Sequence, residues 1–388
     1  MFRCNPGHMI QRERMVEHFL DLVAIDSHSK EELPVALRLV NDLTSLGADA
    51  RIDDAGTKVG GNSGNVVARF AATAPNAPPL LLSAHMDTVP PGKGVKPLRA
   101  GDRITTDGTT VLGGDDKSGL AVIVEVLRVL KERQLPHGDI EIAFSICEEI
   151  GLLGAKNLDV SAFRARESIV LDSTHASLCF TQAPSADRFE FTVHGLEAHA
   201  GVAPENGISA VRVAAEAISA MPLGRIDSRT TSNVVITGCG EATNVVPNLC
   251  VVRGESRSLD DATLDQTTAA IRRSFQDAAA RATATVDGKL HRAWIEEQSA
   301  REYESMHVSD SDPLVRALLA AAAAAGSRVT TASIGGGCDA NVFNRRGITA
   351  VNFGTGMRDI HTVNEWLDLA DFYSCADVML EFVRARAS

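Results

Sequence analysis

Residues 80–84, Leu-Leu-Leu-Ser-Ala, form an apolar run too short for a buried helix and read as a buried strand. His85 follows at its end and Asp87 lies two residues on. Side chains alternate along extended chain, so His85 and Asp87 point the same way. A carboxylate beside an imidazole fixes its tautomer and raises its basicity, as it does behind a metal-bound histidine. Open α/β sheets place ligands at the carboxyl ends of their strands. A lone His-x-Asp after a strand also fits a solvated loop, so the rest of the chain decides its meaning.

The pattern repeats. Ile140–Ile146 reads as a second buried strand and runs directly into Glu148-Glu149. Residues 168–171 read as a third, ended by Asp172. A long Gly-, Pro- and Asp-rich loop over 90–114 leads into Leu-Gly-Gly-Asp115-Asp116 and then a helix to about residue 134. Acidic residues suit a helix N-terminus through capping and the dipole, which alone accounts for much of that pair. Carboxylates gathered at several strand ends repel one another unless a cation neutralises them. Mixed His and carboxylate ligands suit zinc, manganese or cobalt. Adjacent glutamates can divide the work, one binding metal and its neighbour serving as general base.

The 388-residue length exceeds one ordinary core, so two domains are expected. Amphipathic helices are expected over 9–24, 33–46, 312–325 and 367–385, with a further strand over 348–353. Between two stretches of α/β pattern lies a different order. Strand 188–194, helix 206–220, strands 232–237 and 249–257, helix 259–282 and strand 283–286 make a β-α-β-β-α-β unit of ferredoxin-like type. The expected division is a discontinuous α/β domain, 1–184 and 298–388, with an inserted domain over 185–297. The insert offers an edge strand for pairing with a second copy, so a homodimer is plausible beside a monomer.

A formal net charge of -12 without a long basic run argues against nucleic acid and anionic membrane surfaces as partners. The alanine run near 317–325 is too short to span a bilayer. No phosphate-binding Gly-x-x-x-x-Gly-Lys-Ser/Thr or dinucleotide-binding Gly-x-Gly-x-x-Gly opens a helix. Seven scattered cysteines with no Cys-x-x-Cys spacing suit reduced thiols in a cytoplasm. The first eight residues lack the apolar core of a secretory signal.

Taken together and in order, six motifs resemble the M20 metallopeptidases, within them the peptidase T-like branch. They are Ser-Ala-His85-Met-Asp87-Thr-Val-Pro, Leu-Gly-Gly-Asp115-Asp116-Lys-Ser-Gly, Glu148-Glu149-Ile-Gly with Asp172 beyond it, His194-Gly-Leu-Glu-Ala-His199-Ala-Gly, Gly-Gly-Gly-Cys-Asp-Ala-Asn at 335–341 and Ile-His361-Thr. The resemblance implies a zinc-exopeptidase-like three-layer α/β catalytic domain with a ferredoxin-like α+β lid. It implies two divalent ions, zinc first among the candidates. Asp115 would bridge them; His85 and Asp172 would complete one site, Glu149 and His361 the other. Asp87 would orient His85, Glu148 would be the base, and a cis bond would join Asp115 to Asp116. His199 would stabilise the oxyanion, while Asn244 and Arg257 would meet the substrate's carboxylate.

The implied activity is a metallo-aminopeptidase acting on di- or tripeptides. Rival readings are a carboxypeptidase or N-acyl-amino-acid amidohydrolase with the same site, and a non-catalytic metal- or peptide-binding scaffold. The chain departs from the family at Asp172-Ser-Thr-His175, where His175 is a spare donor, and in carrying Cys147 and Cys338 beside the motifs.

Overall fold

The computed structural model describes residues 9–240 and 242–387. Cys4 and the N-terminal stretch read against a secretory signal lie outside the described residues. The chain forms two compact units: one runs to Ala183 and resumes at Met306, the other is Pro184–Ser305.

The first unit is built on a nine-stranded mixed sheet. Its centre is four parallel strands in the order Ile140–Ser145, Leu80–His85, Glu167–Ser173 and Thr349–Gly354. Every residue of the first two is buried, as near-continuous apolar runs require when helices cover both faces of a sheet. Val66–Phe70 and Asp49–Ile52 extend one flank in antiparallel fashion. Leu178–Ala183 extends the other, pairing antiparallel with Thr349–Gly354 and parallel with Thr330–Ser333.

The Gly114–Glu132 helix packs on Leu80–His85 and Glu167–Ser173, between Arg12–Val23 and Leu369–Ala385. Gly119 permits that closeness: a Cβ there would sit 2.2 Å from the Leu171 carbonyl oxygen. The loop over 90–114 is more ordered than expected. It contains the short strands Leu98–Ala100 and Arg103–Thr105, which join Trp366–Asp368 and Met357–Arg358 in a separate four-stranded sheet. Three-residue, largely exposed strands leave little hydrophobic pattern to read. This small sheet fixes both legs of the loop that carries His361.

The second unit is an antiparallel sheet in the order Gly224–Arg225, Thr230–Cys239, Leu249–Ser258, Ser185–His194 and Trp294–Tyr303. Helices Ala210–Ala220 and Asp261–Arg281 pack on one face. Phe189, Phe191, Val193, Val252, Ile271 and Phe275 form the core between them, with Phe191 stacked on Phe275 at 4.2 Å. Each such side chain stabilises the unit by roughly 1.5–3 kcal/mol when fully buried. The order is ferredoxin-like, but its last strand differs from expectation. Thr283–Val286 forms a hairpin with Lys289–Arg292, and Trp294–Tyr303 closes the main sheet. A boundary at 297/298 would cut that strand.

The cysteine reading also needs correction. Cys239 and Cys250 face each other across the Thr230–Cys239 and Leu249–Ser258 ladder and form a disulfide. Register, not local spacing, brings them together. Cys147, Cys179, Cys338 and Cys375 are free and buried.

Candidate metal centre

His85 ends its strand with its ring 2% exposed. Its Nδ1 donates to the Asp87 carbonyl oxygen at 2.9 Å and lies 3.4 Å from Asp87 Oδ1. That leaves Nε2 facing Asp115. Asp87 is fully buried and does more than hold the ring. Its Oδ1 accepts the Glu148 N–H at 2.9 Å; its Oδ2 accepts the Glu149 N–H at 3.2 Å and the Ser29 hydroxyl at 2.6 Å. One carboxylate therefore ties the end of Leu80–His85 to the turn after Ile140–Ser145.

Asp115 stands between two imidazoles. His85 Nε2 is 2.9 Å from its Oδ1 and His361 Nε2 is 3.1 Å from its Oδ2. The Asp115–Asp116 peptide is cis. Asp116 turns the other way: Oδ2 accepts the His85 N–H and Oδ1 the Gly119 N–H, each at 3.1 Å. Asp172 Oδ1 lies 3.8 Å from His85 Nε2, its backbone held by the Asn352 amide on the adjacent strand. Both Glu149 oxygens lie 3.0 Å from His361 Nε2. All five expected ligands thus gather at the carboxyl ends of the parallel strands. His85, Asp115 and Glu149 place donor atoms within 4.8 Å of one another, as do His85, Asp116 and Asp172. Glu148 is buried beside them but belongs to neither group.

The electrostatics are those of crowded acids. Burial raises the Glu148 carboxyl well above its usual range; His85 opposes this, and the charges of Glu149, Asp339 and Asp87 add to it. Burial and the charge of Asp115 raise Asp172 likewise. Asp115 goes the other way: burial would raise it, but hydrogen bonds from His361 and His85 hold it down. Those same carboxylates, Asp115 and Glu149, raise His361 to about 10. Two imidazoles and at least three carboxylates in one cluster match the donors that borderline divalent ions take, and a cation relieves their repulsion.

Other sequence candidates fall outside this cluster. His175 is half-exposed and lies 3.7 Å from Asp371. Cys147 and Cys338 are buried and their thiols are raised by burial. Within the inserted unit, His199 is exposed and its Nδ1 accepts the Gly201 N–H at 3.2 Å, leaving Nε2 to carry the proton outward. Exposed Asn244 accepts the Ala200 N–H at 2.9 Å through its carbonyl. Glu255 takes one side of the Arg257 guanidinium, accepting its Nε–H and Nη2–H at 2.9 and 3.0 Å.

Sequence reasoning missed several carboxylates around the cluster. Glu32 accepts the Cys147 N–H at 3.0 Å and so steadies the glutamate turn. Asp339, in the glycine-rich motif, accepts the Ser145 hydroxyl. Glu365 accepts three backbone N–H groups from residues 112–115.

Residues 81–385 match the model of peptidase family M20/M25/M40. The chain belongs to that family. It is a hydrolase, of the peptidase T-like branch that its motifs resemble. Protein YqjE of Bacillus subtilis, whose function is uncharacterised, is 37% identical over 98% of this chain and 100% of its own. The structure of an aminopeptidase PepT from Bacillus cereus superposes with a TM-score of 0.87 at 36% identity, covering 98% of this chain and all of that one. A tripeptidase from Staphylococcus aureus does so with a TM-score of 0.90 at 33% identity and the same coverage. The α/β fold of these peptidases is the fold described above.

Proposed function

We propose that this M20 hydrolase is a metal-dependent exopeptidase that releases the N-terminal residue of di- or tripeptides. The relatives described as an aminopeptidase and a tripeptidase support that substrate class. The observation that carries the chemistry is Asp115, with one carboxylate oxygen on each of two imidazoles. In this reading His85, Asp172 and Asp115 hold one divalent ion, and Glu149, His361 and Asp115 hold the second. Zinc suits the donors best; manganese and cobalt are the alternatives. Such a pair of ions supplies charge neutralisation and activation of a water molecule.

The chain's own residues do the rest. Asp87 fixes the His85 ring and, through the Glu148 and Glu149 N–H groups, the glutamate turn. Glu148 takes the proton from the attacking water and passes it to the departing amine. Its raised affinity for a proton suits both halves of that transfer. His199 offers an Nε2–H to the developing oxyanion. Asn244, beside it in the inserted unit, meets the peptide's carboxylate, and Arg257 is the second group proposed for it. Trp294–Tyr303, the last strand of its sheet, is the surface proposed for homodimer pairing. A cytoplasmic setting rests on the cysteine scatter, with the Cys239–Cys250 disulfide standing against it.

The test is hydrolysis of Met-Gly-Gly, Gly-Gly-Met, a dipeptide and N-acetyl-methionine by metal-free protein and after restoring zinc, manganese or cobalt. Metal-dependent release of the N-terminal residue is expected. Release of acetate, or of C-terminal residues, would move the protein to the deacylase or carboxypeptidase reading.

A further inference from the structure

Glu365 is 2% exposed and lies some 250 residues along the chain from the groups it binds. Its Oε2 accepts the Leu112 and Gly113 N–H groups at 2.7 and 2.9 Å, and its Oε1 accepts the Asp115 N–H at 3.0 Å. A carboxylate held by successive backbone N–H groups is an anion in a nest, and such charge-assisted bonds are roughly twice as strong as neutral ones. Both oxygens are occupied, so Glu365 is not itself a ligand.

It does not cap an ordinary helix either. Asp115 and Asp116 have non-helical backbone, with φ/ψ of -82/101 and -124/36. Glu365 instead holds the irregular turn before the helix. That turn sends the Asp115 side chain to the imidazoles and the Asp116 side chain back to the His85 and Gly119 N–H groups. Gly114 leaves room for the contact: a Cβ there would lie 3.1 Å from Glu365 Oε1.

The same loop carries His361 four residues earlier. The Glu365 N–H donates to the Thr362 carbonyl at 3.1 Å, and Trp366 Nε1–H donates to Asp359 at 3.1 Å. We infer that Glu365 is a positioning residue that sets the bridging orientation of Asp115 and locks it to the His361 loop. The inference rests on Asp115 being the shared metal ligand. Glu365 acts through Asp115, touching neither ion nor substrate.

The test is Glu365→Gln, read by competitive zinc titration of the metal-free protein, zinc stoichiometry, thermal unfolding of the metal-free form, and kcat and KM on the peptide substrate. The amide keeps the shape but turns an N–H donor toward backbone donors. Zinc affinity is expected to weaken by about 10–100-fold and kcat to fall by a similar factor. KM should stay within about twofold, and the metal-free melting temperature near wild type. A merely structural role would lower the melting temperature and leave the folded fraction's zinc affinity and kcat unchanged, which overturns the proposal. Wild-type zinc affinity and kcat in a well-folded Glu365→Gln also overturn it. Should that variant not fold, Glu365→Asp decides: it keeps the charge but is one methylene too short to hold the Leu112, Gly113 and Asp115 N–H groups together, so zinc should weaken in the same way, and unchanged zinc affinity there overturns the proposal. A wild-type protein that binds no zinc would instead sink the metal assignment beneath it.

Discussion

The two histidines that flank Asp115 are held in opposite ways. His85 is the last residue of a strand buried on both faces, and its ring is 2% exposed. Its Nδ1 is fixed by Asp87, which is itself fixed by three donors. His361 sits on a loop with φ of +63, and its side chain is 50% exposed. Among the described residues, its Nε2 meets the Asp115 and Glu149 carboxylates. The sheet therefore prepares one arm of the site in advance. The other is assembled by turns and by the cluster's own charge. The proposed ions should differ accordingly, tight at the His85 arm and weaker at the His361 arm.

The largest effect is expected where the arms meet. Asp115→Ala should lose both ions in metal analysis and all measurable turnover; an ion retained at full affinity would separate the arms from Asp115. Glu148→Gln should lower kcat by about 10³-fold while metal analysis still finds two ions. Loss of an ion in that variant would make Glu148 a ligand rather than the base. Asp87→Asn should weaken binding at the tight arm by about 10–100-fold, measured by competition with a chelating dye. An effect confined to the weaker ion would reverse the comparison.

The smallest effect, taken per pH unit, comes from His361. His361 holds its proton up to about pH 10 because Asp115 and Glu149 favour the cation. It must release that proton before its nitrogen can bind metal. Affinity for the weaker ion should therefore rise with pH, by up to about tenfold per unit below 10. Calorimetry in buffers of different ionisation enthalpy would show the released proton, and His361→Ala should abolish its share. A flat profile would mean that His361 is not a ligand.

The tight arm was legible in the sequence because it is local. An apolar run buried on both faces ends in a His-x-Asp, a spacing that keeps the pair in contact although Asp87 lies just past the strand's end. The glutamate pair and Asp172 are readable for the same reason, since each directly ends or follows a central strand. What escaped has non-local partners. Glu365 and Glu32 bind backbone N–H groups more than 100 residues away, and no spacing rule marks them. Trp294–Tyr303 escaped because its side chains are largely polar and exposed, so an edge strand left no alternation. The Cys239–Cys250 bridge depends on hairpin register. The Arg257 fork was legible as a residue type, but its occupation by Glu255 was not.

Asp115, not Asp116, is the carboxylate proposed to be shared between two ions. The most direct measurement is an anomalous-difference map at the zinc edge from zinc-loaded crystals. Two peaks are expected, one among His85, Asp172 and Asp115 Oδ1 and one among Glu149, His361 and Asp115 Oδ2. A single peak among His85, Asp116 and Asp172, with Asp115 unbound, would contradict that sharing.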